Sequence, residues 1–399
     1  MTASLPRAEV EIDLGAIRHN LALLAERASG AAVMAVVKAD AYGHGALPVA
    51  RAAVEAGATW LGTCSLAEAL ELRRAGITAR LLSWLDVPGV DFESGIAEVV
   101  DLAASSVGEL HHIAAAASRA GRQARVHLKI DTGLSRNGCP PESWPELVSA
   151  AAAEPGVEVV SIWSHLACAD EPEHPSIDAQ AKRFAEAYDV ARAAGLDPLR
   201  HIANSAAILT RPDLHFDLVR PGIAMYGLNP VPQAENLRPA MTFRSAVALV
   251  KRVPAGESVS YGHTWTAPRD TNLALVPVGY ADGVPRSLSG QMDVFLGGQR
   301  RPVAGRVCMD QLVVDCGDFL PSPGDEVVLF GTGASGEPTA REWADKLGTI
   351  DYEIVTSMYR PRVRRRAKAT LPGFLVGASG PCDKPGMPAA APPYVCESA

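Results

Sequence analysis

The pattern of apolar and polar positions divides the chain into two parts. From about residue 8 to residue 240, short apolar runs alternate with stretches of helical periodicity. The predicted strands are EVEID, AVMAVVK, WLGTC, LLSWL, VVDLA, RVHLKID, VEVVSIWSHL, RHIAN and FDLVRPG. About eight strand–helix units predict an α/β fold whose N-terminal domain is a closed (β/α)8 TIM-type barrel. An open doubly wound sheet is the alternative, although no GxGxxG follows the first strand.

Helix starts between these strands carry capping residues. Asp13 is placed to cap LGAIRHNLALLAERA, and the pairs Ser65 with Glu68 and Ser106 with Glu109 have capping-box spacing. Such side chains satisfy backbone N–H groups that the first helical turn leaves without partners. These starts support the helical assignment of the segments between the strands.

The texture changes after about Met241, where strand patterns separated by Gly, Pro and Asp dominate. These patterns are SAVALVKRV, NLALVPVGYADG, QMDVFLGG, DQLVVDCGD and DEVVLFG, and only TAREWADKLG reads as a clear helix. We therefore predict the barrel over residues 8–240 and a mostly β C-terminal domain over residues 241–377. Residues 378–399 are too rich in Pro, Gly and Ala to build a core, which predicts a disordered tail.

Composition and charge exclude several classes of partner. The net charge of −8 disfavours binding to nucleic acid, and the basic run RPRVRRRAK at residues 360–368 is interpreted as a solvated edge. No apolar run approaches the roughly 18 residues of a membrane span, and the N-terminus lacks the pattern of a signal peptide. The seven scattered cysteines form no CxxC pair, so we predict reduced thiols, no metal site and a cytoplasmic protein.

Polar residues stand where the predicted barrel strands end. Lys38 follows the apolar run in AVVKADAYGHG, and a half-desolvated lysine at a strand end is suited to forming a Schiff base. Comparable positions are held by Lys129, Asp131, His165, Asn204, Ser205 and Arg220. Catalytic groups of barrel enzymes occupy these ends, so the set predicts a polar mouth over an apolar barrel. Structural roles remain the alternative: a core histidine at 165, an ion-pairing Arg220 and a helix-capping Ser205.

The glycine-bearing segments indicate what such a mouth binds. Ser205 at a helix start and the pair Gly222 and Ile223 would place backbone N–H groups near the last barrel loops, where phosphate sites form. An amine, a phosphate cradle and an arginine together fit pyridoxal 5′-phosphate. The cofactor offers an aldehyde for Lys38, a phosphate for the loops and a ring nitrogen for Arg220.

Seven motifs in order identify a family resemblance. They are AVVKADAYGHG, KIDTGLSRNG, HIANSAA, RPGIAMYG, SYGHTWTA, GYADG and GRVCMDQ. Together they closely resemble the alanine racemase family, from about Ala8 to about Arg366 and across both domains. The resemblance implies an isomerase that interconverts L-alanine and D-alanine and supplies D-alanine for peptidoglycan.

The resemblance also implies the cofactor-binding residues. Lys38 would carry pyridoxal phosphate as a Schiff base, and Arg220 would face the pyridine nitrogen, whose protonation its charge opposes. The remaining members of the implied cofactor-binding set are Tyr42, His165, Asn204, Ser205, Gly222, Ile223 and Tyr352.

Racemisation requires proton carriers on both faces of a planar intermediate, and the family implies Lys38 for one face and Tyr261 for the other. The pKa of a free tyrosine lies near 10, so Tyr261 needs support, and the family offers His165 linked to Arg220. Implied substrate-binding residues are Arg136, Met309 and Asp310. Lys129 matches a lysine that is carbamylated in several relatives, and Ser135 replaces a glycine that the family often has before the arginine.

The resemblance extends to substrate size and assembly. Asp170, Tyr280, Arg286 and Arg306 match residues that narrow the family's substrate entrance, which favours a small amino acid. We predict a homodimer whose active sites combine Lys38 of one subunit with Tyr261 of the other.

Other functions on the same scaffold remain open from sequence. A serine or broad-specificity amino-acid racemase would differ in pocket width, which the residues do not fix. A decarboxylase of this architecture would use a cysteine late in the chain, and the SYGHTWTA region offers no equivalent. A non-catalytic pyridoxal phosphate-binding protein would have the barrel alone, whereas this chain has a second domain.

Overall fold

A parallel barrel forms the first part of the structure, a computed structural model that describes residues 6–28, 30–232 and 236–368. After β1 (Glu9–Asp13), its strands are β2 (Ala32–Val36), β3 (Trp60–Thr63), β4 (Arg80–Ser83), β5 (Val100–Ala104), β6 (Ala124–Lys129), β7 (Val157–Trp163), β8 (Leu199–His201) and β9 (Leu218–Val219). They form one sheet in the order β8-β7-β6-β5-β4-β3-β2-β9. The Arg220 amide donates to the Ala203 carbonyl at 3.0 Å and joins β9 to β8. The predicted barrel is therefore confirmed, and the open sheet is excluded.

The barrel strands bury side chains on both faces. Met34 belongs to a small interior cluster with Trp60, Leu82 and Trp163, whereas its neighbours Val33 and Ala35 belong to the large core under the helices. This division follows from the alternation of side chains along a strand. Burial on both faces explains why these strands read as continuous apolar runs.

Helices connect the barrel strands. They are α1 (Leu14–Arg27), α2 (Lys38–Tyr42), α3 (Ala46–Glu55), α4 (Leu66–Arg74), α5 (Phe92–Ala97), α6 (Val107–Ala120), α7 (Trp144–Ala153), α8 (Ser176–Ala193) and α9 (Ser205–Thr210). Of these, α2 is a left-handed turn and not a right-handed α-helix. Asp13 caps α1 by accepting from the amides of Gly15 and Ala16, which confirms that prediction. The capping box of Ser65 and Glu68 is complete, and Ser106 accepts from the Glu109 amide.

A second, mostly β part follows the barrel. Its strands are β10 (Met241–Ala246), β11 (Leu249–Val253), β12 (Ser258–Val259), β13 (Trp265–Thr266), β14 (Thr271–Val276), β15 (Asp293–Leu296), β16 (Gln299–Pro302), β17 (Leu312–Gly317), β18 (Glu326–Phe330) and β19 (Arg364–Lys368). The largest sheet has the order β16-β15-β18-β10-β1-β19. Thus β1 pairs with the C-terminal strands, and Lys38 follows the first strand of the barrel.

Two details of the second part differ from the sequence pattern, and a third agrees with it. SAVALVKRV is divided between β10 and β11. Residues 364–368 of the basic run form the exposed edge strand β19, which confirms the prediction of a solvated edge. A second helix, α11 (Asp351–Ser357), follows α10 (Ala340–Leu347), so the expectation of a single clear helix was wrong. The β-branched residues of α11 have weak helix propensity, but Ile354 and Val355 are buried and packing decides the outcome.

Two expectations about the ends and surface of the chain have different outcomes. The predicted tail, residues 378–399, lies outside the described residues. Within the described ranges, the structure contains no helix with the length and apolarity needed to span a membrane.

Candidate active site

A cavity of about 560 Å³ lies at the carboxyl ends of the barrel strands. The predicted residues that line it are Lys38, Tyr42, Lys129, Arg136, His165, Asn204, Ser205, Arg220, Gly222, Ile223 and Tyr352. Tyr352 comes from α11, so the second part of the chain helps to enclose the barrel mouth. We call this enclosure the barrel cavity.

Lys38 enters the barrel cavity from an unusual turn. The four residues after it, Ala39 to Tyr42, all have positive φ angles of 52–54° and form a left-handed turn before Gly43. Residues with a Cβ lose roughly 1–2 kcal/mol each in this conformation. Burial lowers the pKa of the Lys38 amine, and Arg136 acts in the same direction while Cys64 opposes it. The amine is thus more readily neutral than an exposed lysine.

Arg220 is buried and held at several points. Its Nη1 donates to His201 Nδ1 at 2.9 Å, and its Nη2 donates to the Ser164 carbonyl at 2.8 Å and to His165 Nδ1 at 3.2 Å. Because a guanidinium only donates, Nδ1 of both histidines must be an acceptor. Burial and the charge of Arg220 lower the pKa values of His165 and His201, which keeps both rings neutral.

A hydrogen-bond chain continues from Arg220 into the barrel. His201 Nε2 lies 2.9 Å from Ser161 Oγ, and Ser161 Oγ lies 2.6 Å from His127 Nδ1. His127 Nε2 then lies 3.2 Å from a carboxylate oxygen of Asp101. A guanidinium at one end can only donate and a carboxylate at the other can only accept. The neutral rings of His127 and His201 therefore both carry the proton on Nε2. Each donor in this hydrogen-bond chain points toward Asp101.

Two tryptophans line the barrel cavity beneath its cations. The Lys129 Nζ lies 4.2 Å and the Arg220 Cζ 5.0 Å from the ring centroid of Trp163, and the Lys38 Nζ lies 5.9 Å from that of Trp84. Such contacts stabilise cations that have lost hydration. Burial, reinforced by Arg220 and Arg136, still lowers the pKa of Lys129 to about 7.

The other side of the cavity is built from hydroxyl groups and close backbone. Ser205 Oγ accepts from the amides of Gly222 at 2.8 Å and Ala224 at 3.2 Å, which leaves its own proton to donate. A Cβ on Gly222 would lie only 2.6 Å from the Tyr42 hydroxyl, so glycine allows this approach. The cap of α9 is Asn204, whose side chain accepts from the Ala207 amide, and not Ser205.

Tyr261 does not line the barrel cavity. Its side chain is 72% exposed on the second part of the chain, where Arg306 packs against the adjacent Gly262. The Tyr280 amide donates to the Cys308 carbonyl at 3.0 Å, and the Ala281 amide donates to the Met309 carbonyl at 3.0 Å. We call Tyr261, Tyr280, Arg286, Arg306, Met309 and Asp310 the β cluster.

The remaining predicted residues are distributed between these two sites. Asp310 forms an ion pair with Arg362 at 2.6 Å. The Ser289 hydroxyl donates to the Arg286 carbonyl and accepts from the amide of Val307, which follows Arg306. Asp170 is exposed and lies close enough to Tyr352 for its charge to act on the phenol. Burial is the largest cause that raises the pKa of Tyr352, and the charge of Asp170 is the smallest. The structure of one chain therefore presents two separate groups of site residues.

Sequence reasoning missed several residues of the barrel cavity and its support. Trp84 and Trp163 follow or end strands in the same way as the predicted cations, and this position was the available signal. Asp101, His127 and His201 gave no local signal, because they lie within or at the end of strands and their polarity is satisfied inside the barrel.

The backbone conformation of Ser135 shows how a serine takes the place of the glycine that often precedes the arginine in this motif, here KIDTGLSRNG. Its φ angle is +56°, in the left-handed region that favours glycine. The Ser135 amide donates to Asp131 at 3.1 Å, and this bond helps to hold the turn. The serine therefore keeps the conformation in which Arg136 enters the barrel cavity.

The fold and the two sites define an α/β-barrel enzyme whose cavity presents a lysine amine among several other cations. The model of the alanine racemase N-terminal domain matches residues 12–230, and that of the C-terminal domain matches residues 240–367. The chain belongs to the alanine racemase family, whose members are pyridoxal phosphate-dependent isomerases.

Individual relatives agree with this assignment. The alanine racemase of Salinispora arenicola is 57% identical over 364 residues, which are 90% of this chain and 98% of that protein. The crystal structure of alanine racemase from D-cycloserine-producing Streptomyces lavendulae has a TM-score of 0.89 and 52% identity, covering 92% of this chain and 98% of that one. Alanine racemase from Streptomyces coelicolor A3(2) has a TM-score of 0.87 and 53% identity, covering 90% and 97%.

Proposed function

We propose that this chain interconverts L-alanine and D-alanine with pyridoxal 5′-phosphate in the barrel cavity and with Lys38 and Tyr261 as the two proton carriers. The observation that carries the proposal is the single enclosure shared by the Lys38 amine, the hydroxyls of Tyr42 and Ser205, and Arg220. Family membership supports the same reaction.

The residues of the barrel cavity fit the cofactor. Tyr42, Ser205, Gly222, Ile223 and Tyr352 would hold its phosphate, with the approach between Gly222 and Tyr42 leaving no room for a side chain. When bound, pyridoxal phosphate supplies an aldehyde for a lysine amine and a conjugated ring that delocalises the charge left by the α-proton.

Arg220 and its neighbours orient the site. Arg220 would hold the ring nitrogen, and its fixed charge disfavours protonation there. His165 accepts from Arg220 through Nδ1, so its Nε2 carries a proton that it would donate to the phenolic oxygen of Tyr261. Asn204 completes the cofactor-binding set at the start of α9.

Proton transfer on two faces requires both site groups. Because its pKa is lowered, the Lys38 amine is more readily neutral and would accept the α-proton on one face. Tyr261 would serve the other face, but in one chain it is exposed and outside the barrel cavity. We therefore propose a homodimer in which the β cluster of one subunit covers the barrel cavity of the other.

Substrate recognition would use residues of both groups. Arg136 in the barrel cavity would pair with the carboxylate of alanine, with Met309 and Asp310 contributed by the β cluster. Lys129 is the proposed carbamylation site, because its neutral amine can react with CO₂ and the resulting anion would hold Arg136. Asp170, Tyr280, Arg286 and Arg306 would narrow the entrance to a small amino acid.

The biological setting proposed for the reaction is the cytoplasm, where D-alanine is supplied for peptidoglycan. The cysteines described by the structure, Cys64, Cys139, Cys168, Cys308 and Cys316, are all free, in accord with a reducing compartment. The domain boundaries proposed for the whole chain remain residues 8–240 and 241–377, with β1 contributing a strand to the C-terminal sheet.

Incubation of the purified holoenzyme with L-alanine in deuterated water tests the proposal. We expect deuterium at the α-carbon together with loss of optical rotation, and much slower exchange with L-serine or L-leucine. Borohydride reduction should fix the cofactor on the peptide that contains Lys38. Fixation on another lysine, or α-exchange without loss of optical rotation, would contradict the assigned roles.

A further inference from the structure

The left-handed turn Ala39–Tyr42 joins two groups of the barrel cavity. Lys38 precedes the turn and Tyr42 ends it, so a shift of the turn displaces the amine and the phenol together. Four successive residues with side chains hold positive φ angles there. Such a conformation persists only where surrounding contacts determine it.

One contact comes from the neighbouring barrel unit. The Ala39 amide donates to Glu68 Oε1 at 2.7 Å. The other oxygen of the same carboxylate accepts from the amides of Cys64 at 2.7 Å and Ser65 at 3.2 Å. Glu68 therefore ties the first residue of the turn to the end of β3 and the start of α4.

A second contact comes from the far end of the chain. Asp40 Oδ1 accepts from the Ala46 amide at 2.7 Å, and Asp40 Oδ2 accepts from Nη1 of Arg365 in the edge strand β19. A Cβ on Gly45 would lie 3.3 Å from the same Arg365 nitrogen, so the guanidinium packs directly over the segment that follows the turn. Arg365 also lies over the ring of Tyr359, 5.2 Å from its centroid.

The backbone of Arg365 is itself fixed by the sheet. β19 pairs in parallel with β1, with Arg365 opposite Val10. The hydrogen bond from Arg365 to Asp40, which we call the clamp on Asp40, therefore connects the C-terminal sheet to the loop that presents Lys38. It links parts of the chain that are 325 residues apart.

We propose that Arg365 and Glu68 are positioning residues that hold the left-handed turn and thereby set the placement of Lys38 and Tyr42 in the barrel cavity. The inference rests on the proposed function, because it assigns these residues a role in the chemistry of Lys38. Neither residue lines the barrel cavity. Arg365 acts through the turn, whereas the charge of Glu68 also acts directly on Lys38 and opposes the lowering of its pKa by burial.

The edge strand supplies a matched control. Arg366 also forms ion pairs from β19, with Glu9 and Glu11 of β1, and both carboxylates keep Arg244 as a second partner. Side chains alternate along a strand, so Arg366 faces away from the turn. Arg366→Ala thus removes an arginine and its ion pairs from β19 without removing the clamp on Asp40.

The test compares the holoenzymes of Arg365→Ala and Arg366→Ala by amide hydrogen exchange and steady-state kinetics with L-alanine. For Arg365→Ala we expect faster exchange in the peptide covering residues 38–46 and a decrease of about 10-fold or more in kcat/KM. Arg366→Ala should match the wild type in both. Arg365→Lys keeps a cation near Asp40 and should restore part of both properties.

The inference would be overturned if Arg365→Ala exchanged at the wild-type rate in residues 38–46, or if its kcat/KM equalled that of Arg366→Ala. Should Arg365→Ala fail to fold, Asp40→Asn breaks the same ion pair while keeping the oxygen that accepts from Ala46, and the same two outcomes apply. Borohydride fixation on Lys38 in the wild type reports separately on the proposed function, since hydrogen exchange does not depend on the reaction.

Discussion

Asp101 is a buried carboxylate that acts on the barrel cavity through other residues. It accepts from His127 Nε2, and Arg125 balances its charge with an Nε–Oδ1 distance of 2.8 Å. The acceptor at this end obliges His127 to carry its proton on Nε2, as Arg220 at the other end obliges His201 to do. The hydrogen-bond chain is therefore fixed from both ends.

Asp101→Asn should allow His127 to carry its proton on Nδ1, because an amide nitrogen can donate to His127 Nε2. Ser161 Oγ would then face donors from both His127 and His201, whose tautomer Arg220 still fixes, and the support of Arg220 by the hydrogen-bond chain would weaken. We expect a decrease of roughly 10-fold or more in kcat/KM, by the reasoning that a wrong histidine tautomer loses its function. Nitrogen NMR of labelled histidine should report the change of tautomer at His127. Glu158→Gln is the control, because it removes the exposed partner of Arg125 and leaves the hydrogen-bond chain intact. An unchanged His127 tautomer with full activity would refute the argument.

Lys129 has a pKa lowered to about 7, with burial as the main cause. Between that value and its ordinary pKa of 10.5 the folded protein holds the amine neutral while the unfolded chain binds a proton. Unfolding therefore takes up a proton in this window, and the contribution of Lys129 to the free energy of unfolding rises with pH. The group costs stability below pH 7, where it must be charged while buried.

The same neutral amine should react with CO₂ increasingly as the pH rises through about 7. Its nitrogen bonds to the carbon of CO₂ and one proton is released, so the product is a carbamate anion. With labelled bicarbonate we expect a carbon NMR signal that is weak at about pH 6, strong at about pH 8 and absent in Lys129→Gln. A signal that persists in Lys129→Gln would assign the modification to another lysine.

At the level of elements, the loop after β9 and the left-handed turn meet at one point. Gly222 has a φ of −115° and a ψ of −98°. Space requires glycine there, because the Tyr42 hydroxyl occupies the position beside its Cα. The approach of two loops from opposite ends of the barrel sequence forms the side of the cavity that we propose for the phosphate.

Gly222→Ala should force Tyr42 outward and weaken the binding of pyridoxal phosphate by about 10-fold or more. Equilibrium dialysis of the cofactor with the apoprotein measures the change. Gly108→Ala serves as the control, since a Cβ there meets its nearest atom only at 4.0 Å. Equal cofactor affinity in the two variants would mean that the contact between Gly222 and Tyr42 does not shape the phosphate site.

For the whole molecule, the separation of the barrel cavity from the β cluster is the central fact. Lys38 and Tyr261 lie in different groups, and Tyr261 is exposed where a proton carrier should be enclosed. Two copies arranged about a twofold axis would bring each β cluster to the other's cavity. Two sites would then form at once.

Mixed dimers test this arrangement. Homodimers of Lys38→Ala and of Tyr261→Phe should each be nearly inactive, because every site lacks one proton carrier. In a mixed dimer one site receives both defects and the other receives an intact Lys38 and an intact Tyr261. Random association should therefore restore about a quarter of wild-type activity. Inactive preparations that contain heterodimers, verified by mass spectrometry, would place both residues within one chain or exclude Tyr261.

The sequence by itself determined the features that depend on local pattern. Apolar runs and capping residues such as Asp13 and Ser65 specify the strands and helices of the barrel, because periodicity and caps act over a few residues. The placement of Lys38, Lys129 and Arg220 also followed from order alone, since the ends of parallel strands meet at one face. Their shared cavity was therefore predictable before any contact was known.

Tertiary structure decided which distant residues meet. The pairing of β1 with β10 and β19, the helical state of α11 and the clamp of Arg365 on Asp40 depend on contacts far apart in the chain. The hydrogen-bond chain from Arg220 to Asp101 depends on the register of neighbouring barrel strands, because the register decides which side chains face each other. Local periodicity contains no information about such partners, because burial and register are properties of the folded molecule.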